Sequence, residues 1–497
     1  MTVIPVIDLF AGPGGLNEGF SKFSEDEGAP RFKAVASFEM ESSACQTLML
    51  RGAYRHLLRA GRVPDSYYRF IRGELDFQEF SLIPEIASAL ATSQEEVHQV
   101  ELGVDRKKSD ALIRSALGAI KVHKDAPWVL IGGPPCQAYS LAGRSRRAHD
   151  KDFESDIKHF LYREYLHILA EFSPPVFVME NVKGLLSSSH AGIPMFQRIK
   201  KDLEEPADGL HYDVHSLTVG GDLTKLLPSD FLIRSENFGI PQKRHRVILL
   251  GVRRDFAAQS GVVGKLNPSP QVSVIDAIGA LPELRSGVSP ARLDDPKLWR
   301  QIQDEVAEKF GDSACIPSRS GIELSRGGPF VKAPITTRPE STFQNWIGDP
   351  RIGGFIQHES RGHMSEDLKR YWYAANTAKR TNVSPKLRDY PDELLPLHKN
   401  ARLENKPFDD RFRVQVGDFP ASTVVSHIAK DGHYYIHPDP DQMRSLTVRE
   451  AARLQSFPDN YFFMGNRTQQ YHQVGNAVPP LLAHQIARVV AAIFDEA

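Results

Sequence analysis

Cysteine is scarce in this chain: Cys45, Cys136 and Cys315 are the only three in 497 residues. No two form a C-x-x-C pair and none stands at metal-binding spacing from a histidine, which excludes a disulfide framework and a zinc site. A reducing compartment is expected. An excess of one charge is also missing, with 61 Lys+Arg against 62 Asp+Glu, so any affinity for nucleic acid has to come from local clusters. No run approaches the roughly 18 apolar residues of a membrane span, and no Lys or Arg precedes an apolar run near the N-terminus. The expectation is a cytoplasmic protein with no membrane partner. A 41% hydrophobic and 25% charged composition without repeats or biased tracts indicates ordinary globular structure.

What the chain does contain is a rhythm of short apolar runs that end in glycine-bearing or acidic turns. Residues 3–10 lead into Ala11-Gly12-Pro13-Gly14-Gly15, after which Leu16, Gly19 and Phe20 recur at helical spacing. That is strand, turn, helix. Residues 32–38, 128–131, 176–179 and 247–252 read as further strands, residues 157–170 as a helix between two of them, and residues 481–494 as a last apolar helix. Fully apolar strands alternating with helices indicate an α/β fold built on a parallel, doubly wound sheet. Residues 52–125 are charged and helix-like, an insertion, and residues 256–434 lack the strand-helix period. The expected organisation is a sheet domain over 1–255, a second domain over 256–434, and a segment 435–497 that returns to the first.

Several residue types collect at strand ends, where open α/β sheets bind ligands. The glycine turn lets a ligand approach the backbone, and Glu39, at the end of the next strand, suits ribose hydroxyls of an adenosine-containing cofactor. Cys136 follows Gly132-Gly133-Pro134-Pro135, and Glu180 follows the run VFVM, where a carboxyl can donate a proton. Gln242-Lys243-Arg244-His245-Arg246 sends Arg244 and Arg246 to one face, either a surface charge cluster or a clamp for phosphate and carbonyl oxygen. A thiol, a carboxyl and two arginines beside an adenosine pocket suit one reaction: thiolate addition to an electron-poor ring, followed by methyl transfer. Cys45 and Cys315 read as structural thiols.

The blocks DLFAGPGG, FEME, GGPPCQAYS, MENVKG, FGIPQKRHRVILLG, SLTVREAARLQSFPD and QVGNAVPP run colinearly from Asp8 to Pro480. In that order they resemble the bacterial-type DNA (cytosine-5)-methyltransferase family. The resemblance implies a Rossmann-like, S-adenosyl-L-methionine-dependent fold, with a catalytic domain over 1–255 and a target-recognition domain over 256–434. It implies S-adenosyl-L-methionine as cofactor, double-stranded DNA as substrate, a monomer, and a cognate restriction endonuclease or phage-defence system as partner. Cys136 then attacks C6 of a cytosine flipped out of the duplex. Glu180 engages N3 and the amino group, Arg246 faces O2, and Arg244 is its partner, while the base that removes the C5 proton stays open.

Phe10, Gly12, Pro13, Gly15, Glu39, Met40, Leu161 and Asn476 fall on cofactor positions of the family, with Met40 replacing an aromatic side chain often seen there. The acid facing the adenine is matched to Glu74, beside Leu75, with Asp76 as the competitor. Ser140, Arg144, Arg146 and Arg147 are expected to touch DNA. So are the basic and aromatic groups from Arg361 to Arg370, Tyr371, Trp372, Tyr373, Lys379, Arg380, Lys386, Arg388, Lys399 and Arg402, and those from Lys430 to Tyr434. Arg449, Glu450, Arg453 and Gln455 read as braces between domains, and no metal site is expected. Two other readings compete. A tRNA cytosine-5 methyltransferase is disfavoured by the long second segment, and a catalytically silent DNA-binding regulator by the retention of Cys136, Glu180 and the glycine turn.

Overall fold

The computed structural model describes residues 3–25, 28–119, 126–135, 161–190, 193–257, 263–311, 324–333, 341–397 and 409–495. Among these, eight strands form one sheet: β1 (Ile4–Leu9), β2 (Phe32–Glu39), β3 (Val97–Gln99), β4 (Val129–Gly132), β5 (Val176–Val182), β6 (Tyr212–His215), β7 (Leu232–Arg234) and β8 (His245–Arg253). Their order is β3-β2-β1-β4-β5-β8-β6, with β7 alongside β8. From β3 to β5 every neighbour is parallel, and the strand order reverses between β1 and β4. This reversal opens a crevice at the carboxyl ends of both strands.

The mostly parallel sheet agrees with the sequence expectation, but β8 runs antiparallel to β5, β6 and β7. An apolar strand such as VILLGV reads the same in either direction, so composition carries no sign of this. Direction matters for the site, because only an antiparallel β8 begins where β5 ends, pairing Arg246 with Val182. Val129 to Ile131 and Val176 to Met179 are fully buried, as strands covered on both faces must be.

One face is covered by α1 (Gly15–Lys22) and the C-terminal helices α8 (Arg467–Asn476) and α9 (Pro480–Asp495). Gly19 lets α1 lie against α9, since a methyl group there would stand 2.4 Å from Ala483. The other face carries α6 (Arg106–Ala119) and α7 (Leu161–Phe172). Residues 467–495 form the one stretch among the described residues that is long and apolar enough to cross a membrane, and 72% of its apolar window is buried in the protein. That is the signature of a core element.

The charged segment 52–125 takes in the end of α2 (Ser42–Arg59), then α3 (Asp65–Ile71), α4 (Phe77–Ser81) and α5 (Pro84–Glu96), and after them β3 and α6 of the sheet domain, so the inserted part is α3 to α5. β3 itself is a three-residue strand that the sequence reading folded into the insertion. Among the described residues, 263–434 add no strand to the large sheet. They include β9 (Gly354–Glu359), paired antiparallel with Gly327–Lys332, and a buried helix Ser365–Thr381.

Candidate active site at the carboxyl rim

The turn after β1 is shaped by backbone conformations that L side chains rarely adopt: Phe10, Gly12 and Gly14 have φ of 54°, 55° and 89°. Its three glycines serve different ends. A methyl group on Gly12 would meet nothing within 4 Å among the described residues, so the space beside it is open to a ligand. On Gly14 it would lie 2.7 Å from Leu48, and on Gly15 only 2.2 Å from the carbonyl oxygen of Val478. Gly15 is therefore a packing glycine that admits the segment after Asn476. The buried Pro13 carbonyl accepts a hydrogen bond from the Tyr461 hydroxyl.

Glu39 ties β2 to this turn. One carboxylate oxygen accepts the Gly12 N–H at 2.7 Å and the other accepts Met40 N–H at 2.9 Å and Glu41 N–H at 2.8 Å. Burial lifts its pKa, against the pull of those three donors. Asp8, 1% exposed, has no hydrogen-bond partner on either oxygen among the described residues. Burial raises this carboxyl well above the usual range, opposed by Arg55 and reinforced by the charge of Glu39. Met40 stands exposed at the rim, while Cys45 is buried against the Glu39 carbonyl, where burial pushes its thiol up to about 12.

Glu74 and Leu75 do not reach this crevice. Glu74 lies on the turn after α3, bonded to Arg72, and Leu75 packs in the apolar cluster of the insertion. Asp76 closes a capping box on α4 with Glu79. The insertion displaced the expected spacing, and the rim position next to Glu39 belongs to the residues after β3. Val100 N–H donates to the Glu39 carbonyl at 2.9 Å, exposed Glu101 follows, and Gly103 approaches Glu164 in the first turn of α7. Leu161 begins α7, which places it at the same rim, and Asn476 is exposed at the end of α8.

Across the crevice, Glu180 and Arg246 meet, with Arg246 Nε 2.7 Å from Glu180 Oε1 and both side chains nearly buried. A methyl group on Gly133 would lie 3.0 Å from the other Glu180 oxygen, so Glu180 packs on the backbone that leads into Cys136. Cys136 itself, with Ser140, Arg144, Arg146, Arg147 and Cys315, lies outside the described residues. Arg244 takes a different direction from Arg246. It is 2% exposed and donates to the carbonyls of Val424 at 2.8 Å and Gly475 at 3.2 Å, tying two distant segments to the rim. Burial and the neighbouring Arg246 both work against the Arg244 cation, and Glu180 works for it.

A wall stands beside this rim. Gln242–Lys243 pairs with Ala421–Ser422, and Thr423 donates its hydroxyl to the Lys243 carbonyl at 2.6 Å. His427 stands edge-on to Tyr434, ring centres 5.6 Å apart, and Lys430 is exposed next to them. His427 and Thr423 escaped the sequence reading, because neither belongs to a charged or aromatic run.

Four of the residues read as groove-facing, Arg361, Arg370, Tyr371 and Trp372, are buried. Arg361 and Arg370 are 8% and 7% exposed, and Tyr371 and Trp372 are fully buried. Tyr371 bonds the rings of His363 and His433, and Arg361 donates to the carbonyls of Ile428 and Lys430 at 2.6 and 3.0 Å. A helix with one wide apolar face buries its aromatics whatever charges flank them. Lys399 and Arg402 lie outside the described residues. Of the four residues read as braces, Arg449 and Arg453 reach the second segment, donating to the Ile356 and Ala277 carbonyls, whereas Gln455 donates to the Val474 carbonyl and Glu450 is gripped by Arg444, both within residues 435–497.

Residues 113–492 match the model of the family described as C-5 cytosine-specific DNA methylase. The chain is 34% identical over 99% of both sequences to the type II methyltransferase M.Bpa9945I of Bacillus paralicheniformis. It is 27% identical, over 97% of this chain and 98% of the relative, to the type II methyltransferase M.AgeI of Thalassovita gelatinovora. Among solved structures, a DNA modification methyltransferase encoded within an E. coli prophage superposes with a TM-score of 0.52 at 18% identity, covering 99% of each chain. That likeness speaks to the fold.

Proposed function

The chain belongs to the C-5 cytosine-specific DNA methylase family and is a DNA (cytosine-5-)-methyltransferase, and from that premise we propose that it modifies one sequence in double-stranded DNA by the thiol-addition route. The observation that carries the reading is the Glu180–Arg246 pair at the carboxyl rim, packed on the backbone three residues before Cys136. A cytosine placed against this pair meets a carboxyl for N3 and the amino group and a guanidinium for O2.

Cys136 adds to C6 as the thiolate, and Glu180 neutralises the charge that develops on the ring nitrogen. C5 becomes nucleophilic and takes the methyl group, its proton leaves, and elimination returns the thiolate. S-adenosyl-L-methionine supplies that methyl group when bound. The residues fit such a cofactor: open space beside Gly12, the Glu39 carboxylate at the ribose position, and the unpartnered Asp8 carboxyl, which suits a ligand bringing positive charge. Glu101 takes the adenine-facing place that the family resemblance matches to Glu74. Arg244 acts by positioning, since it holds the Thr423–Lys430 wall and the Asn476 segment at the rim.

Residues 256–434 serve as the target-recognition domain in this reading, with His427, Lys430 and Tyr434 facing the DNA beside the flipped base. Type II relatives point to modification within a restriction-modification system and to a cognate endonuclease as partner. Incubation with DNA and methyl-labelled cofactor tests the chemistry. Label should enter DNA at cytosine and disappear with Cys136→Ser, and transfer that survives Cys136→Ser would end the thiol mechanism.

A further inference from the structure

The insertion α3–α5 has no place in the chemistry above, yet its contacts converge on one carboxylate. Asp349, in the turn before β9, accepts the Tyr68 hydroxyl at 2.8 Å and the Asn460 amide at 2.7 Å on one oxygen, and the Arg351 N–H at 3.0 Å on the other. Arg351 reaches back to the Val63 carbonyl at 2.7 Å and lies 4.3 Å over the Tyr68 ring. Ile352 and Ile356 are buried in the apolar cluster of the insertion, with Phe70, Phe80 and Ile86. Three distant parts of the chain thus share Asp349.

This anchor extends in two directions. Asn460 accepts Arg51 at 2.9 Å, and Arg51 grips Glu18 in α1, the helix that starts at the glycine turn. On the other side β9 leads to Arg361, whose guanidinium fork holds the carbonyls of Ile428 and Lys430, the backbone of the wall that carries His427. β9 is also fixed by Gln357, which exchanges hydrogen bonds with the backbone of Phe463.

We propose that the helical insertion is a splint that holds β9 in register with the sheet domain, with Tyr68 and Asp349 as positioning residues that set the distance between the recognition wall and the catalytic rim. Phe343, Trp346, Ile347 and Phe355 share one apolar core with strands of the sheet domain, which already limits relative motion of the two parts. A carboxylate bonded from both sides and an isoleucine pair sunk into the insertion add a second attachment at β9, so the DNA cleft is preformed and its ordering is not charged to each binding event. The proposal rests on the reading that this wall faces DNA.

Tyr68→Phe deletes one hydroxyl and keeps the ring under Arg351. Asp349→Asn weakens every bond to the anchor, and Ile86→Val trims the same cluster without touching it. Amide hydrogen exchange of β9 in the free protein should rise in the first two variants. Their Kd for DNA should rise on the order of tenfold, the scale of one charged hydrogen bond, with kcat and cofactor affinity unchanged. Ile86→Val should lose thermal stability and neither of the other properties. Unchanged exchange in β9, faster exchange without weaker DNA binding, or variants that merely copy Ile86→Val would each overturn the splint. Exchange and binding are read without turnover, so an inactive wild type would sink the proposed chemistry and leave the splint standing.

Discussion

Alanine at Gly12 and alanine at Gly15, three residues apart in one turn, should damage two different properties. At Gly12 the added methyl meets no described protein atom within 4 Å, and the local cost is the left-handed backbone at φ 55°, about 1–2 kcal/mol for a residue with a Cβ. The methyl would project into the open space assigned to the cofactor. Overpacking there costs about 1–3 kcal/mol, so affinity should fall by roughly 5- to 150-fold. At Gly15 the methyl would sit 2.2 Å from the Val478 carbonyl oxygen and 3.1 Å from its nitrogen. Neither belongs to a flexible side chain, so α1 and the Asn476 segment must separate. A destabilisation toward the upper end of about 1–3 kcal/mol is expected, only partly offset by the better helix propensity of alanine. Calorimetric titration with S-adenosyl-L-methionine, beside thermal unfolding, reads both properties. Gly12→Ala should bind weakly and lose only the stability that its backbone strain costs, and Gly15→Ala should lose at least as much stability through the forced separation of α1 from Val478. Wild-type affinity in Gly12→Ala would refute the location of the pocket.

Two other outcomes follow from the same geometry. Glu101→Ala should weaken cofactor binding several-fold while Glu74→Ala leaves it unchanged, and equal effects in equilibrium dialysis would return the adenine to the insertion. Stability should decline as pH falls from about 6.5 toward 4, because burial, the largest cause, holds His358 down at about 4. Between those values the unfolded chain takes up a proton that the folded one refuses, a loss on the order of 3 kcal/mol from this group. His437 is shifted in the same direction by burial and then Arg444. Denaturant titrations at pH 7 and pH 5 check this, and a flat profile contradicts the burial of both rings.

Much of the rim was legible in the sequence because each piece is local. A glycine turn after an apolar run and an acid after VFVM each carry their own signal. What escaped depends on distant partners. Strand direction is not written in VILLGV, so the reason Arg246 faces Glu180 appears only when β8 pairs antiparallel with β5. The opposite fates of Arg244 and Arg246 follow from the carbonyls of Val424 and Gly475, nearly two hundred residues or more away. Glu101 was hidden because β3 is too short to stand out after three helices. The aromatics near residue 371 were misread because charge along a helix is visible in sequence and the identity of its buried face is not.

Cytosine-5 methylation at one DNA sequence by the Cys136 and Glu180 machinery can be read straight from bisulfite sequencing of DNA from cells expressing the protein. Protected cytosines are expected in a single sequence context, and none when Cys136→Ser is expressed at the same level. Protection in no context, or protection that persists with Cys136→Ser, would contradict the proposed chemistry.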